Sequence, residues 1–91
     1  MNPIANIFPR LRWACRRGML ELDVLLGNFL EEAFVRLPAT EQNTFIELLN
    51  NQDPDLFMWL TGKSAPLSME SAMLVEKIRY HAQHRNKNTT L

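Results

Sequence analysis

The chain has 91 residues, 46% of them apolar and 22% charged, with ten basic and ten acidic side chains and no net charge. That length fits one small domain, and this apolar content is too high for a disordered chain. A neutral total argues against broad binding to nucleic acid, which calls for a dominant basic face, and no stretch approaches the ~20 apolar residues of a membrane span.

In chain order, residues 1–8 read as a loose lead-in. Pro9 suits the start of a first helix, because its missing N–H is not needed in the first turn. Leu11, Ala14 and Cys15 follow at helical spacing, with Trp13 beside them. Arg16 and Arg17 fall in the expected last turn, where positive charge suits the helix dipole, and Gly18 stands where a left-handed residue often closes a helix. A second helix is marked by Leu22, Leu25, Leu26, Phe29, Leu30, Ala33, Phe34 and Leu37, an unbroken stripe that Pro38 ends. Glu21 and Asp23 sit in its first turn, beside the exposed N–H groups.

A third helix is expected from Ala39 to Asn50, with Phe45, Ile46, Leu48 and Leu49 on its apolar face. Asp53-Pro54-Asp55 reads as the start of a fourth, in which Asp53 caps the free N–H groups, Pro54 takes the first helical position and Gly62 closes the far end. Ser68 begins a fifth, with Ala72, Val75, Ile78 and Ala82 inward and Leu74 adjacent. No stretch alternates with period two. The expected architecture is all-α, a compact five-helix bundle in a single domain spanning residues 1–91, with 1–8 and 86–91 loosely held.

Charge is distributed unevenly along this layout. The first twenty residues carry four arginines and no acid, residues 21–59 carry eight acids against Arg36, and the remainder carries five bases against two acids. Such asymmetry suits docking on one specific protein surface. Met1 to Arg12 has no apolar core of a secretory signal. It is arginine-rich and acid-poor as transit peptides are, yet short, without serine and continuous with helical sequence. Cys15 is the sole cysteine, so no internal disulfide forms. Its flanking arginines would lower its pKa if it were exposed, but a buried helical thiol is the expectation.

Catalytic sets are sparse. His81 and His84 are three residues apart, but nothing nearby in sequence completes the three protein ligands that zinc needs, and surface histidines near a helix C-terminus are expected. Ser and Thr have no evident base partner, and three scattered glycines make no phosphate loop. Glu21 and Asp23 lie two apart, which on a helix sets them on different faces, so an acid–base pair is not expected. The stretch Arg16-Arg17-Gly18-Met19-Leu20-Glu21-Leu22-Asp23 leaves two readings open. It can be a plain helix end, glycine cap and helix start with a surface ion pair. It can equally be a glycine corner that brings Arg17 and Glu21 to one exposed spot, with Gly18 allowing a partner's backbone close.

Trp13-Ala14-Cys15-Arg16-Arg17-Gly18-Met19-Leu20-Glu21-Leu22-Asp23 and Asp53-Pro54-Asp55-Leu56-Phe57-Met58-Trp59-Leu60 together resemble the SdhE family of small bacterial succinate dehydrogenase assembly factors, whose mitochondrial relatives are called succinate dehydrogenase assembly factor 2. The hallmark is Arg-Gly-x-x-Glu, here Arg17-Gly18-Met19-Leu20-Glu21, and the resemblance runs from about Arg12 to Arg85. It implies a non-enzymatic helper that binds the flavoprotein subunit of succinate dehydrogenase, and of fumarate reductase in bacteria, and promotes covalent attachment of FAD. It implies Arg17, Gly18 and Glu21 as partner contacts, with Asp23 a further one. It also implies no stably bound cofactor of its own, since FAD belongs to the client, and a place in the bacterial cytoplasm rather than the mitochondrial matrix. No nucleic acid partner and no membrane insertion are expected from the neutral charge and the lack of a long apolar run. The alternative is an antitoxin or a generic helical adaptor.

Overall fold

A computed structural model of the chain describes residues 3–89, and side-chain surroundings for residues 7–85. Five α-helices follow in order, α1 (Pro3–Ala14), α2 (Leu20–Glu32), α3 (Ala39–Leu48), α4 (Asp53–Leu60) and α5 (Met69–Thr89), with a short 3-10 turn at Phe34–Arg36. Among the described residues there is no strand, so the all-α architecture expected from the periodicity is the observed one. Helix α5 packs against α2, α3 and α4, while α2 also meets α1 and α4.

The first helix begins six residues earlier than Pro9 implied. Pro3 and Pro9 both suit a first helical turn, and packing decides between them. Ile7 and Phe8 press against the core, the Phe8 ring 6.2 Å from Phe34, which draws the preceding turn into the helix. Pro9 therefore lies inside α1, where it supplies no N–H to the carbonyl one turn back. Residues 3–8, expected as a loose lead-in, are helical, and Met1 and Asn2 lie outside the described residues. At the other end α5 stays helical to Thr89, beyond the expected tail boundary; Thr90 and Leu91 lie outside the described residues.

The apolar stripe of the second helix is interrupted where periodicity showed none. Helix α2 stops at Glu32, Ala33 leaves helical geometry at φ −129°, and the chain tightens into the 3-10 turn before Pro38. Pro38 holds Leu37 extended at ψ 146°. The freed carbonyls are covered, with Arg36 donating to the Glu32 carbonyl at 2.7 Å and Gln42 Nε2 to that of Phe34 at 3.0 Å. Phe34 stays fully buried across the break, so the stripe serves the same core in a tighter helix.

The core is made of Leu11, Cys15, Leu22, Leu26, Phe29, Leu30, Phe34, Phe45, Leu48, Leu49, Leu56, Leu60, Leu74, Val75 and Ile78. Phe45 joins its rings together, lying 5.7 Å from Phe29 and 5.4 Å from Phe34. Ser68 caps α5 as expected, its Oγ accepting from the Ser71 N–H at 3.1 Å. Gly62 closes α4 at φ +83°. Helix α4 differs at its start. Gln52 occupies the N-cap without a side-chain cap bond, and Asp53 is the first helical residue with its carboxylate turned elsewhere.

Candidate functional site

The corner between α1 and α2 begins where α1 runs out. The Cys15 N–H bonds to the Leu11 carbonyl and that of Arg16 to the carbonyl of Trp13, a tightening that ends the helix. Gly18 then turns the chain at φ +86°, a conformation that costs an L side chain strain. Nothing lies within 4 Å of where its Cβ would be, so the need for glycine here is conformational rather than steric. Met19 enters α2 extended, and the Asp23 N–H closes the first turn on the Met19 carbonyl at 2.9 Å.

Arg17 does not share an exposed spot with Glu21. Its side chain is 16% exposed and its guanidinium turns inward. Nε donates to Asp53 Oδ1 at 2.7 Å. One terminal nitrogen donates to the carbonyls of Ala14 and Leu49, both at 2.9 Å, and the other to the carbonyl of Asn51 at 2.7 Å. Four of the five guanidinium N–H donors are thus engaged by the end of α1, the end of α3 and the start of α4. Carbonyls at helix ends lack intrahelical partners, and a planar fork with several donors suits them as a single ammonium does not. The backbone N–H of Arg17 donates to Asp23 Oδ1 at 2.6 Å, so Asp23 also serves the corner itself. The Asp53 carboxylate, expected to cap its own helix, is spent on Arg17 instead.

Gly18, Met19, Leu20 and Glu21 face solvent above this clamp, as does Arg16 before it. Among the described residues, neither Arg16 nor Glu21 has a side-chain partner. Glu21 lines a shallow depression of about 450 Å³ with Leu20, Val24 and Leu25. Leu20 and Val24, 79% and 48% exposed, belong neither to the buried stripe nor to the polar face. That mismatch of type and position was the sequence signal that would have found them.

Chemistry elsewhere is quiet. The Cys15 thiol is 2% exposed, and burial pushes its pKa up to about 12 although nearby Arg17 pulls it down, so it is a protonated core side chain. His81, expected at the surface, is partly buried. Its Nε2 lies 2.9 Å from Glu32 Oε1, and its ring stands perpendicular to that of Phe29 with centroids 5.5 Å apart. His84 Nδ1 lies 2.9 Å from the Tyr80 carbonyl with the two rings stacked. Among the described residues, no group of three or more His, Cys, Asp or Glu side chains is placed to hold a metal, and no helix is long and apolar enough to cross a membrane. A groove of about 760 Å³ runs between α2 and α5 past Phe29, Leu37, Met73 and Tyr80, and none of the corner residues lines it.

Comparison with known proteins identifies the family. A family model described as "Flavinator of succinate dehydrogenase" matches residues 9–82, a span that contains it. The FAD assembly factor SdhE of Vibrio vulnificus (strain CMCP6) is 50% identical over 72 residues, covering 79% of this chain and 84% of that protein. The one from Coxiella burnetii (strain RSA 493 / Nine Mile phase I) is 47% identical over 78 residues, covering 86% and 93%. A solution structure of a UPF0350 protein superposes with a TM-score of 0.77 at 42% identity, covering 96% of this chain and 92% of that one. This chain is a member of the SdhE family of FAD assembly factors, the flavinators of succinate dehydrogenase.

Proposed function

We propose that this protein promotes covalent attachment of FAD to the flavoprotein subunit of succinate dehydrogenase, docking on that subunit through the Gly18–Glu21 corner. The fumarate reductase flavoprotein is a second client in the same proposal. The observation that carries the reading is the division of labour within the hallmark. Arg17 is committed inward to three helix ends, while Glu21 stands exposed and, among the described residues, without a side-chain partner, beside a glycine that has open space around it. An exposed charged side chain held at a fixed corner is suited to a charge-assisted contact with another protein. Family membership supports the choice of client.

In this proposal the protein is not an enzyme, and FAD remains the client's cofactor. The flavin and its acceptor side chain react within the flavoprotein, and the helper supplies geometry. Correct positioning is worth ~7–11 kcal/mol of barrier in favourable cases. A helper contributes by binding the reactive arrangement of its client better than the others, and only by that difference. Arg17 and Asp23 act by positioning the corner, and Gly18 and Glu21 act by contact.

The test uses purified apo-flavoprotein, FAD and the parent protein or its variants, with covalent flavin read by in-gel fluorescence. Glu21→Ala and Gly18→Arg are expected to slow flavinylation at least tenfold while circular dichroism reports intact helices. No acceleration by the parent protein, or full acceleration by both variants, would defeat the proposal.

A further inference from the structure

Residues Leu20, Val24, Gly27 and Glu31 fall at i, i+4, i+7 and i+11 of α2, on the side opposite the buried Leu22, Leu26 and Phe29. Its first half is apolar and open to solvent, and it starts at the corner. Val24 is a shared wall. It lines the depression beside Glu21 and also a groove of about 490 Å³ between α1 and α2, bounded by Arg12, Arg16, Asp23, Gly27 and Glu31.

Gly27 is the unusual member of this face. It sits inside α2 and is not among the positive-φ glycines, so its backbone makes no demand for glycine. Nothing lies within 4 Å of where a Cβ would be, so packing makes no demand either. A helix interior disfavours glycine relative to alanine. The fold gains nothing from Gly27, whereas a partner gains room to approach the backbone of α2.

We infer that the client contact continues from the corner along this face, and that the α1–α2 groove receives an apolar side chain of the flavoprotein next to a carboxylate that pairs with Arg16. This inference rests on the function proposed above. Three observations select that occupant. The face is continuous with Glu21 through Leu20 and Val24, so a protein docked on the corner overlies it. Val24, an exposed wall of the groove, matches an apolar side chain, and Leu20 extends that apolar surface into the adjoining depression. Of the two arginines at the groove, Arg12 is already bound to Glu31, while Arg16 is exposed and lacks a side-chain partner among the described residues, leaving one cation for an incoming carboxylate.

Gly27 also provides a test that separates surface from fold. Gly27→Leu places a helix-favouring side chain into open space, so helicity and Tm hold or rise, yet it fills the groove. Val24→Glu introduces a charge into its wall at an exposed position. Binding of each variant to purified succinate dehydrogenase flavoprotein is measured by biolayer interferometry, alongside the parent protein and Glu21→Ala. Both groove variants are expected to bind at least tenfold more weakly, and Arg16→Gln several-fold more weakly with reduced salt sensitivity. Parent-like affinity for both Gly27→Leu and Val24→Glu, with Glu21→Ala still impaired, overturns this inference and leaves the proposed function standing. Should Gly27→Leu misfold, Val24→Glu decides alone. No binding by the parent protein removes the proposed function and this inference with it.

Discussion

Replacing Arg17 by alanine tests whether the hallmark arginine is a clamp or a contact. The change removes four hydrogen bonds at once and strands the carbonyls of Ala14, Leu49 and Asn51 together with the Asp53 carboxylate. A hydrogen bond with a charged partner contributes about 1.5–3 kcal/mol, but these four share one group and do not add independently. The side chains of Arg17 and Asp53 keep 16% and 32% exposure, so water recovers part of the loss. The expected destabilisation is about 2–4 kcal/mol, shifted down from the ~3–5 kcal/mol of breaking a fully buried pair because of that access. A domain of this length has roughly 5–14 kcal/mol in total, so the variant stays folded at 25 °C with a reduced margin. Tm should fall by about 10–25 °C. Urea unfolding followed by far-UV circular dichroism measures the change, with the m-value expected to stay constant. Arg17→Lys keeps the charge but not the fork, and should recover less than half of the loss. A loss within about 0.5 kcal/mol for Arg17→Ala, the usual range for a surface change, would refute the clamp and return Arg17 to the docking surface.

Three further outcomes follow from the same geometry. Gly18→Ala meets no neighbour but must hold φ +86°, so it should cost about 1–2 kcal/mol in urea unfolding without loss of helicity. Cys15 should resist iodoacetamide in the native state and react once urea unfolds the chain. Because its folded pKa is raised to about 12, the native state keeps a proton that the unfolded state releases, and stability should fall as pH rises from the ordinary thiol range towards 12, with a shallower fall in Cys15→Ala. Arg85 holds the Glu32 carboxyl below the usual carboxylate range by a hydrogen bond, so the stability this contributes is present above that range and is lost as pH falls through the depressed pKa. Glu32→Gln should accordingly show a weaker dependence of its urea midpoint on pH in acid.

The helices were legible in the sequence because periodicity is a local signal, and their inner faces match the buried residues closely. The stripe from Leu22 to Leu37 names core members Leu22, Leu26, Phe29, Leu30 and Phe34, and Val75 and Ile78 were placed inward on the last helix. Helix limits were less legible, for reasons that are tertiary. Pro3 and Pro9 send the same local message, and the packing of Ile7 and Phe8 against the core separates them. The stop at Glu32 is stabilised by Gln42, a residue of the next helix.

The site divides in the same way. That Gly18 turns a corner and that Glu21 opens a helix were both readable from residue type and position, and the Arg-Gly-x-x-Glu pattern with its second block pointed to the family that the comparisons establish. The inward course of Arg17 was not readable. Two of its acceptors, the carbonyls of Leu49 and Asn51, are backbone atoms that every residue carries, and they lie 32 and 34 positions away. No side-chain pattern announces them. Helical periodicity, the turn at Gly18 and the family resemblance belong to the sequence by itself. Which of its charges are consumed within the fold, and which remain for a partner, is decided only when α1, α3 and α4 bring their ends together around one guanidinium.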